Sequence, residues 1–279
     1  MTALTLPDQS TEIGAAVEVM LAACDEADTI SLASFRRNIR IEAKPDASFV
    51  TEADTAVERA IRERITTRFP DHGLVGEEYG TAESESGRRW IIDPIDGTHN
   101  YMRGVPIYAT LIALEIEGRP AVGAVSAPAL HRRWFSWDGG GAWAVETVPG
   151  GWDRDSAQRL SVSAVDRLEE ASVVYSSYAS IEASGWAPGF RPLLGKVWRD
   201  RGLGDFYGYM LVAEGAAEVM VEAELKLWDL AGPRAIMEHA GARVTDIEGG
   251  LDLPAHGVLA TNGRLHQAIL DELGGAGRR

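Results

Sequence analysis

The stretch Trp90-Ile-Ile-Asp-Pro-Ile-Asp-Gly-Thr-His-Asn100 constrains what this chain can become more than any other. An apolar run, Trp90 to Ile92, breaks at Asp93-Pro94 and again at Asp96-Gly97, which predicts a buried strand that stops where a tight turn begins. A turn on a rigid strand end presents side chains and free backbone N–H groups to a ligand. Two carboxylates at this spacing suit hard cations such as Mg²⁺, and two closely spaced ions can clamp a phosphoryl group during in-line displacement. Asp-Gly is also among the commonest turn dipeptides, so taken alone the pattern reads more readily as an ordinary surface turn.

A chain of 279 residues, 45% of them hydrophobic, can fill one large or two modest cores. A soft boundary is expected near Pro149-Gly-Gly151, dividing an N-terminal α+β half, 1–149, that carries the turn from a C-terminal α/β half, 150–279, that completes the site. The net charge of −15 argues against a nucleic-acid backbone or an anionic membrane as the main partner, because both need clustered Lys and Arg. The single cysteine, Cys24, falls in a helical pattern and reads as core filler in a reducing compartment. Met1 to Glu12 has neither a positive start nor an apolar segment, and no later run reaches the about 18 apolar residues of a membrane span. The reading is therefore of a cytoplasmic protein.

Ile13, Val17, Met20, Leu21 and Cys24 recur at helical spacing and predict a first helix running into the thirties. Lys44-Pro-Asp46 breaks the pattern before a second helix with Val57, Ala60, Ile61 and Ile65 on one face, ending near Pro70. Thr81 to Arg89 reads as a polar loop. Ala109–Glu115 and Ala121–Ser126 read as antiparallel neighbours, as do Trp134–Trp137 and Ala142–Val145 across Asp138-Gly-Gly-Gly141. Beyond the charged stretch Asp153 to Arg159, Val173–Tyr175 predicts a strand, and Phe190, Leu193, Leu194, Val197 and Trp198 a helical face. Tyr209 to Ala217 is a further apolar segment, and Ala217–Glu222 alternates at period two as a strand would. A helix opens at Leu227-Trp-Asp-Leu-Ala231 and ends before Gly241, and strands at 244–247 and 258–261 precede a last helix, Leu265 to Leu273.

Each acid at these boundaries has an ordinary structural reading. Thr51 and Asp54 have the spacing of a capping box, which satisfies orphan N–H groups at a helix start. Glu77-Glu78 after Leu74-Val75-Gly76 resembles any solvated acidic loop. Asp229 stands where an N-cap would, although Pro233 would then remove a hydrogen bond just past the first turn. Asp205 after Gly204 reads as a helix cap. The six histidines show no zinc-binding spacing, and no Gly-rich nucleotide loop is present.

Taken together, Asp93-Pro-Ile-Asp-Gly-Thr98, Gly76-Glu77-Glu78, Val50-Thr51-x-Ala53-Asp54 and Trp228-Asp229-x-Ala231 resemble the inositol monophosphatase family of metal-dependent phosphomonoesterases, in the family's order and over nearly the whole chain. The resemblance implies an α+β fold with α-β-α-β-α layering, a site between the two halves, and a homodimer. It implies two or three Mg²⁺ per site, one held by Glu77, Asp93 and the carbonyl of Ile95, another by Asp93, Asp96 and Asp229. An activated water would be aimed by Glu77 and Thr98, with Asp54 hydrogen-bonded to Thr98 from behind. The amides of Gly97 and Thr98 would cradle the phosphate, and Asp96 and Asp229 would face the substrate.

Within the family, Arg103-Gly-Val-Pro106, Ser126-Ala-Pro-Ala-Leu130 with Arg132-Arg133-Trp134, and Gly204-Asp205-Phe206 are similar to the branch that hydrolyses histidinol phosphate in histidine biosynthesis. Asp205 and Glu222 would place negative charge beside the alcohol side, suiting a substrate with an ammonium and an imidazole. His99 departs from the lysine common there, or marks only a solvent-facing position. The alternatives are an inositol-1-monophosphatase or broad phosphatase with the same metal residues, and a non-catalytic scaffold that would be expected to have lost one of them.

Overall fold

In the computed structural model, which describes residues 3–37, 40–43, 49–251 and 257–274, the first helix begins where Thr11 caps it. The Thr11 Oγ1 accepts the Gly14 N–H at 3.0 Å, and α1 (Glu12–Ser34) buries Val17, Met20, Leu21 and Cys24 as their spacing requires. A two-stranded ribbon, β1 (Ile41–Ala43) and β2 (Phe49–Thr51), leads into α2 (Glu52–Arg68), which buries Val57, Ile61 and Ile65. The expected break at Lys44-Pro-Asp46 lies outside the described residues. Next come β3 (Gly73–Gly76), β4 (Gly80–Ala82), β5 (Arg88–Asp96), the short α3 (Thr98–Met102), β6 (Ala109–Ile116), β7 (Arg119–Ala127), β8 (Arg132–Trp137), β9 (Gly141–Val148) and β10 (Gly151–Arg159).

These strands build one eight-stranded sheet in the order β10-β9-β8-β7-β6-β5-β3-β4, antiparallel except for the β3–β5 pair. Period-two alternation puts Trp90, Ile92, Ile112, Leu114, Val122 and Phe135 into one core with the buried faces of α1 and α2. The polar stretch read as a loop contains most of β4 and the start of β5, because backbone pairing of β4 to β3, and of β5 to β3 and β6, overrides side-chain polarity there. The charged stretch 153–159 is likewise strand, on the sheet edge where its charges stay solvated.

The chain then forms β11 (Ser172–Tyr175), α4 (Tyr178–Ala183), α5 (Ala187–Leu194), β12 (Arg199–Gly202), α6 (Asp205–Ala213), β13 (Val219–Glu222), α7 (Leu227–His239), β14 (Arg243–Thr245), β15 (Val258–Thr261) and α8 (His266–Gly274). A second sheet runs β12-β11-β13-β15-β14, parallel across β12, β11 and β13 and antiparallel beyond. Its core joins Val173, Phe190, Val219, Leu259 and Ile269. The expected helical face from Phe190 to Trp198 is too long: α5 stops before Gly195, and Trp198 is 69% exposed.

Two units emerge, one holding the chain to Arg159 with Ala231–Ile236 of α7, the other Leu160–Leu230 with the chain from Met237. In the first, α7 lies close on the sheet. A Cβ on Gly123 would stand 2.5 Å from that of Ala235, and one on Gly232 would stand 2.9 Å from the Ala124 carbonyl, so both positions need glycine. Among the described residues no helix is long and apolar enough to cross a membrane.

In the second unit His266 is fully buried between two threonines, its Nε2 2.9 Å from Thr245 Oγ1 and its Nδ1 2.9 Å from Thr261 Oγ1. The Thr245 hydroxyl donates to the Asp246 carbonyl at 2.6 Å, so it accepts from Nε2–H, and Nδ1 accepts from Thr261. The ring is thus held neutral, and burial pushes its pKa down to about 4, with the Arg243 charge adding. Between pH 6.5 and about 4 the unfolded chain takes up a proton that the folded chain refuses, so stability falls as pH falls through that window. Chemical denaturation across this range should show His266→Gln with a flatter pH slope than the parent.

Candidate metal centre

The two acids of the central stretch are not the first residues of a turn, as expected, but the last residues of a bulged strand. β5 pairs with β6 through Asp93 opposite Leu111, loses register, and resumes with Asp96 opposite Ala109. Pro94 explains the slip: it has no N–H to give the ladder, and its carbonyl takes the Thr110 hydroxyl at 2.8 Å instead. The turn follows at Gly97, whose φ of 79° lies in the left-handed region that favours glycine. Asp93 and Asp96 are consequently buried, 2% and 8% exposed.

Asp229 arrives on α7. It is not the N-cap expected but the third helical residue, and its Oδ2 accepts the Lys226 N–H at 2.6 Å, the reciprocal half of a capping box. Pro233 is accommodated inside the helix. Asp93, Asp96 and Asp229 each bring a carboxylate oxygen within 4.8 Å of the other two. Like charges this close disfavour their own ionisation unless a cation lies among them. Three carboxylates, with no thiol or imidazole, fit a hard divalent ion. The positive end of α7 also favours negative charge at Asp229.

Glu77 is not one of these three. It is half-buried at the end of β3, and its N–H donates to the Ile92 carbonyl at 3.3 Å. Asp54 forms the capping box that its spacing predicts: its Oδ2 accepts the Thr51 N–H at 2.8 Å and the Thr51 hydroxyl at 2.5 Å. Its Oδ1 is buried without a hydrogen-bond partner. Burial pushes the Asp54 carboxyl up to about 6, against the Thr51 hydrogen bonds, and the Glu77 charge raises it further. The Thr98 hydroxyl donates to the Ile95 carbonyl at 2.9 Å and not to Asp54. A carbonyl has a second lone pair, so the bond leaves Ile95 able to accept from elsewhere.

In the second unit Asp205 is not a cap of the usual kind. It opens α6 with φ 55°, a left-handed conformation that aspartate tolerates better than most residues, while Gly204 occupies the N-cap. Glu222 ends β13, buried, and accepts the Tyr209 hydroxyl. Burial pushes the Glu222 carboxyl up to about 8 against that hydrogen bond, with the charges of Asp205 and Asp229 adding. Its charged form is thus disfavoured by the enclosure, whereas Asp205 stands at the start of α6.

Among the other sequence signals, Arg133 lies in the interior, 2.7 Å from Asp28 and 2.8 Å from Asp25, and its Nε donates to Ser126 Oγ at 2.9 Å. Its place in the branch signature thus serves the core of the first unit. His99 is exposed, its ring edge-on to Phe49 at 5.4 Å. The motif reading passed over Glu58, which is fully buried on α2 with its carboxylate against the backbone of Glu78 and Tyr79. A lone glutamate inside a helical pattern carries no spacing that sets it apart from a surface residue.

Residues 12–277 match the sequence profile of the Inositol monophosphatase family. The chain is 44% identical over 259 residues to a histidinol-phosphatase of Mycobacterium tuberculosis, covering 91% of this chain and 95% of that one. It is 44% identical over 254 residues to a histidinol-phosphatase of Streptomyces coelicolor, covering 89% and 93%. Among solved structures, the extragenic suppressor protein SuhB of Bartonella henselae superposes with a TM-score of 0.82 at 26% identity, covering 93% of this chain and 98% of that one.

Asp96→Asn removes one charge from the three-carboxylate group while preserving its shape. Titration with Mn²⁺, followed by loss of the free-ion paramagnetic signal, should show affinity reduced at least about tenfold, or about 1.4 kcal/mol. An unchanged titration would remove the metal assignment.

Proposed function

The chain belongs to the inositol monophosphatase family, and from that premise we propose that it is a histidinol-phosphatase, a metal-dependent phosphomonoesterase that hydrolyses histidinol phosphate to histidinol and phosphate. What carries the reading is the convergence of Asp93, Asp96 and Asp229, acids far apart in sequence, in a chain so similar to two histidinol-phosphatases.

The residues present fit Mg²⁺, two or three ions per site. Glu77, Asp93 and the Ile95 carbonyl would hold one, and Asp93, Asp96 and Asp229 another. When bound, such ions withdraw charge from the phosphate ester and make water a competent nucleophile at neutral pH. The protein's own groups do the remaining work. The half-buried Glu77 carboxylate takes the proton of the attacking water, and the Thr98 hydroxyl orients that water. The Gly97 and Thr98 N–H groups, at the left-handed turn that opens α3, would donate to phosphate oxygens, where fixed donors offset developing charge. The Asp205 carboxylate would meet the ammonium of the substrate, with the buried Glu222 beside it on the alcohol side. The reading extends to a cytoplasmic homodimer, as the family resemblance implies.

Phosphate release at matched Mg²⁺ should favour histidinol phosphate over inositol 1-phosphate by about a hundredfold in kcat/KM, the scale of one well-placed charge pair. A preference for inositol phosphate would keep the hydrolytic chemistry and discard the amino-alcohol substrate.

Asp205→Ala separates the substrate contact from the metal chemistry. Turnover of histidinol phosphate should fall at least about tenfold while that of inositol 1-phosphate stays near the parent value. Equal losses on both would sink the ammonium pairing.

A further inference from the structure

Three glutamates crowd the end of β3: Glu77 and Glu78 in the chain, and Glu58 reaching up from α2. Like charges so placed would be expected to splay the Glu77–Gly80 turn away from the helix. The turn is instead closed down onto Glu58.

Glu58 is fully buried, and both of its oxygens are engaged. Oε2 accepts the Glu78 N–H at 2.7 Å, while Oε1 accepts the Tyr79 N–H at 3.2 Å and the Arg62 Nε–H at 2.7 Å. A buried carboxylate persists only when donors replace its lost water, and here two of them are backbone groups of the turn itself. Arg62, one helical turn on, completes the grip: its guanidinium also donates to the Gly80 carbonyl and lies 5.9 Å from the Tyr79 ring centroid. The Tyr79 hydroxyl returns to α2 through the Thr55 carbonyl at 3.3 Å.

Gly76 makes the approach possible. A Cβ there would fall 1.9 Å from Glu58 Oε1 and 2.5 Å from its carboxyl carbon. The residue before Glu77 is glycine because the buried carboxylate passes beneath it. Glu77 is therefore tied on both sides, its own N–H to Ile92 on β5, next to Asp93, and the two following N–H groups to Glu58.

We propose that Glu58, through its hold on the Glu78 and Tyr79 amides, is the positioning residue that fixes Glu77 toward the metal centre. Glu58 cannot itself ligate, since both oxygens are engaged and no part of it is accessible. The inference rests on the reading of Glu77 as a metal-facing carboxylate.

Glu58→Gln tests it, because either amide orientation sets an NH₂ against groups that are already donors. The metal-free variant should show faster hydrogen exchange at the Glu78 and Tyr79 amides. Its Mn²⁺ affinity should fall at least about tenfold, the usual cost of losing a group that orients a ligand. The Mg²⁺ concentration for half-maximal activity should rise in step, with kcat at saturating Mg²⁺ staying within about threefold of the parent, a split that general destabilisation would not produce. Gly76→Ala, which displaces Glu58 without removing it, should give the same pattern and decides the matter if Glu58→Gln does not fold. Arg64→Ala, at the exposed Arg64–Glu26 pair, should change none of these readings. Unchanged Mn²⁺ affinity in a folded Glu58→Gln or Gly76→Ala protein overturns the proposal. Unchanged affinity in Glu77→Gln would instead show that Glu77 does not face the metal, which is the failure of the underlying reading.

Discussion

Asp93, Asp96 and Asp229 hold carboxylate oxygens within 4.8 Å of one another, and their mutual repulsion is the constraint that the surrounding structure has to resist. Two of them are buried, so water cannot screen them. Flexible side chains on loops would relieve the repulsion by turning away. Here each acid is anchored in regular structure, on a bulged strand in the middle of an eight-stranded sheet and in the first turn of a thirteen-residue helix. The rigidity is what would let the group hold a cation rather than relax into a patch of acidic surface.

Small residues make that rigidity possible. Gly123 and Gly232 let α7 approach the sheet closely enough that a methyl group at either place would collide with backbone or Cβ atoms of the other element. The same device recurs at Gly76, above the Glu58 carboxylate. At each, an absent side chain sets a distance between elements, and that distance determines where an acid stands. Gly97 has a different task, a positive φ at the junction where β5 ends and α3 begins.

Burial divides the acids by task. Asp54 and Glu222 are pushed upward by desolvation, to about 6 and about 8, and each is held by a neighbouring hydroxyl, Thr51 for one and Tyr209 for the other. In both, burial disfavours the charged form and the hydrogen bond fixes the side chain. Glu58 is as deeply buried, but its carboxylate receives Arg62 and two backbone N–H groups and acts on the conformation of the loop above it. Asp205 bears a strained backbone at the start of α6, a cost that structures tend to keep where a side chain must point in one direction.

The sequence by itself determined the elements whose signal is local. Helical spacing marked α1 and α2, period-two alternation marked β13, and the paired motifs named the family, its metal chemistry and the Thr51–Asp54 capping box, because each of these depends on residues a few positions apart. Tertiary structure decided the rest. Whether Pro94 would end β5 or bulge it depended on β6 alongside. Whether polar residues 80–82 and 153–159 would be strands depended on pairing partners distant in sequence. Arg133 sat in a motif similar to a substrate-specific branch, and only its burial against Asp25 and Asp28 shows that it serves the core. Glu222 read as a charge until its enclosure was visible, and Glu58 was invisible in sequence because nothing nearby in the chain announces a carboxylate aimed at a turn twenty residues on. Local patterns record what a residue can do, whereas desolvation and long-range contact, which set its charge and its partners, exist only after the chain has folded.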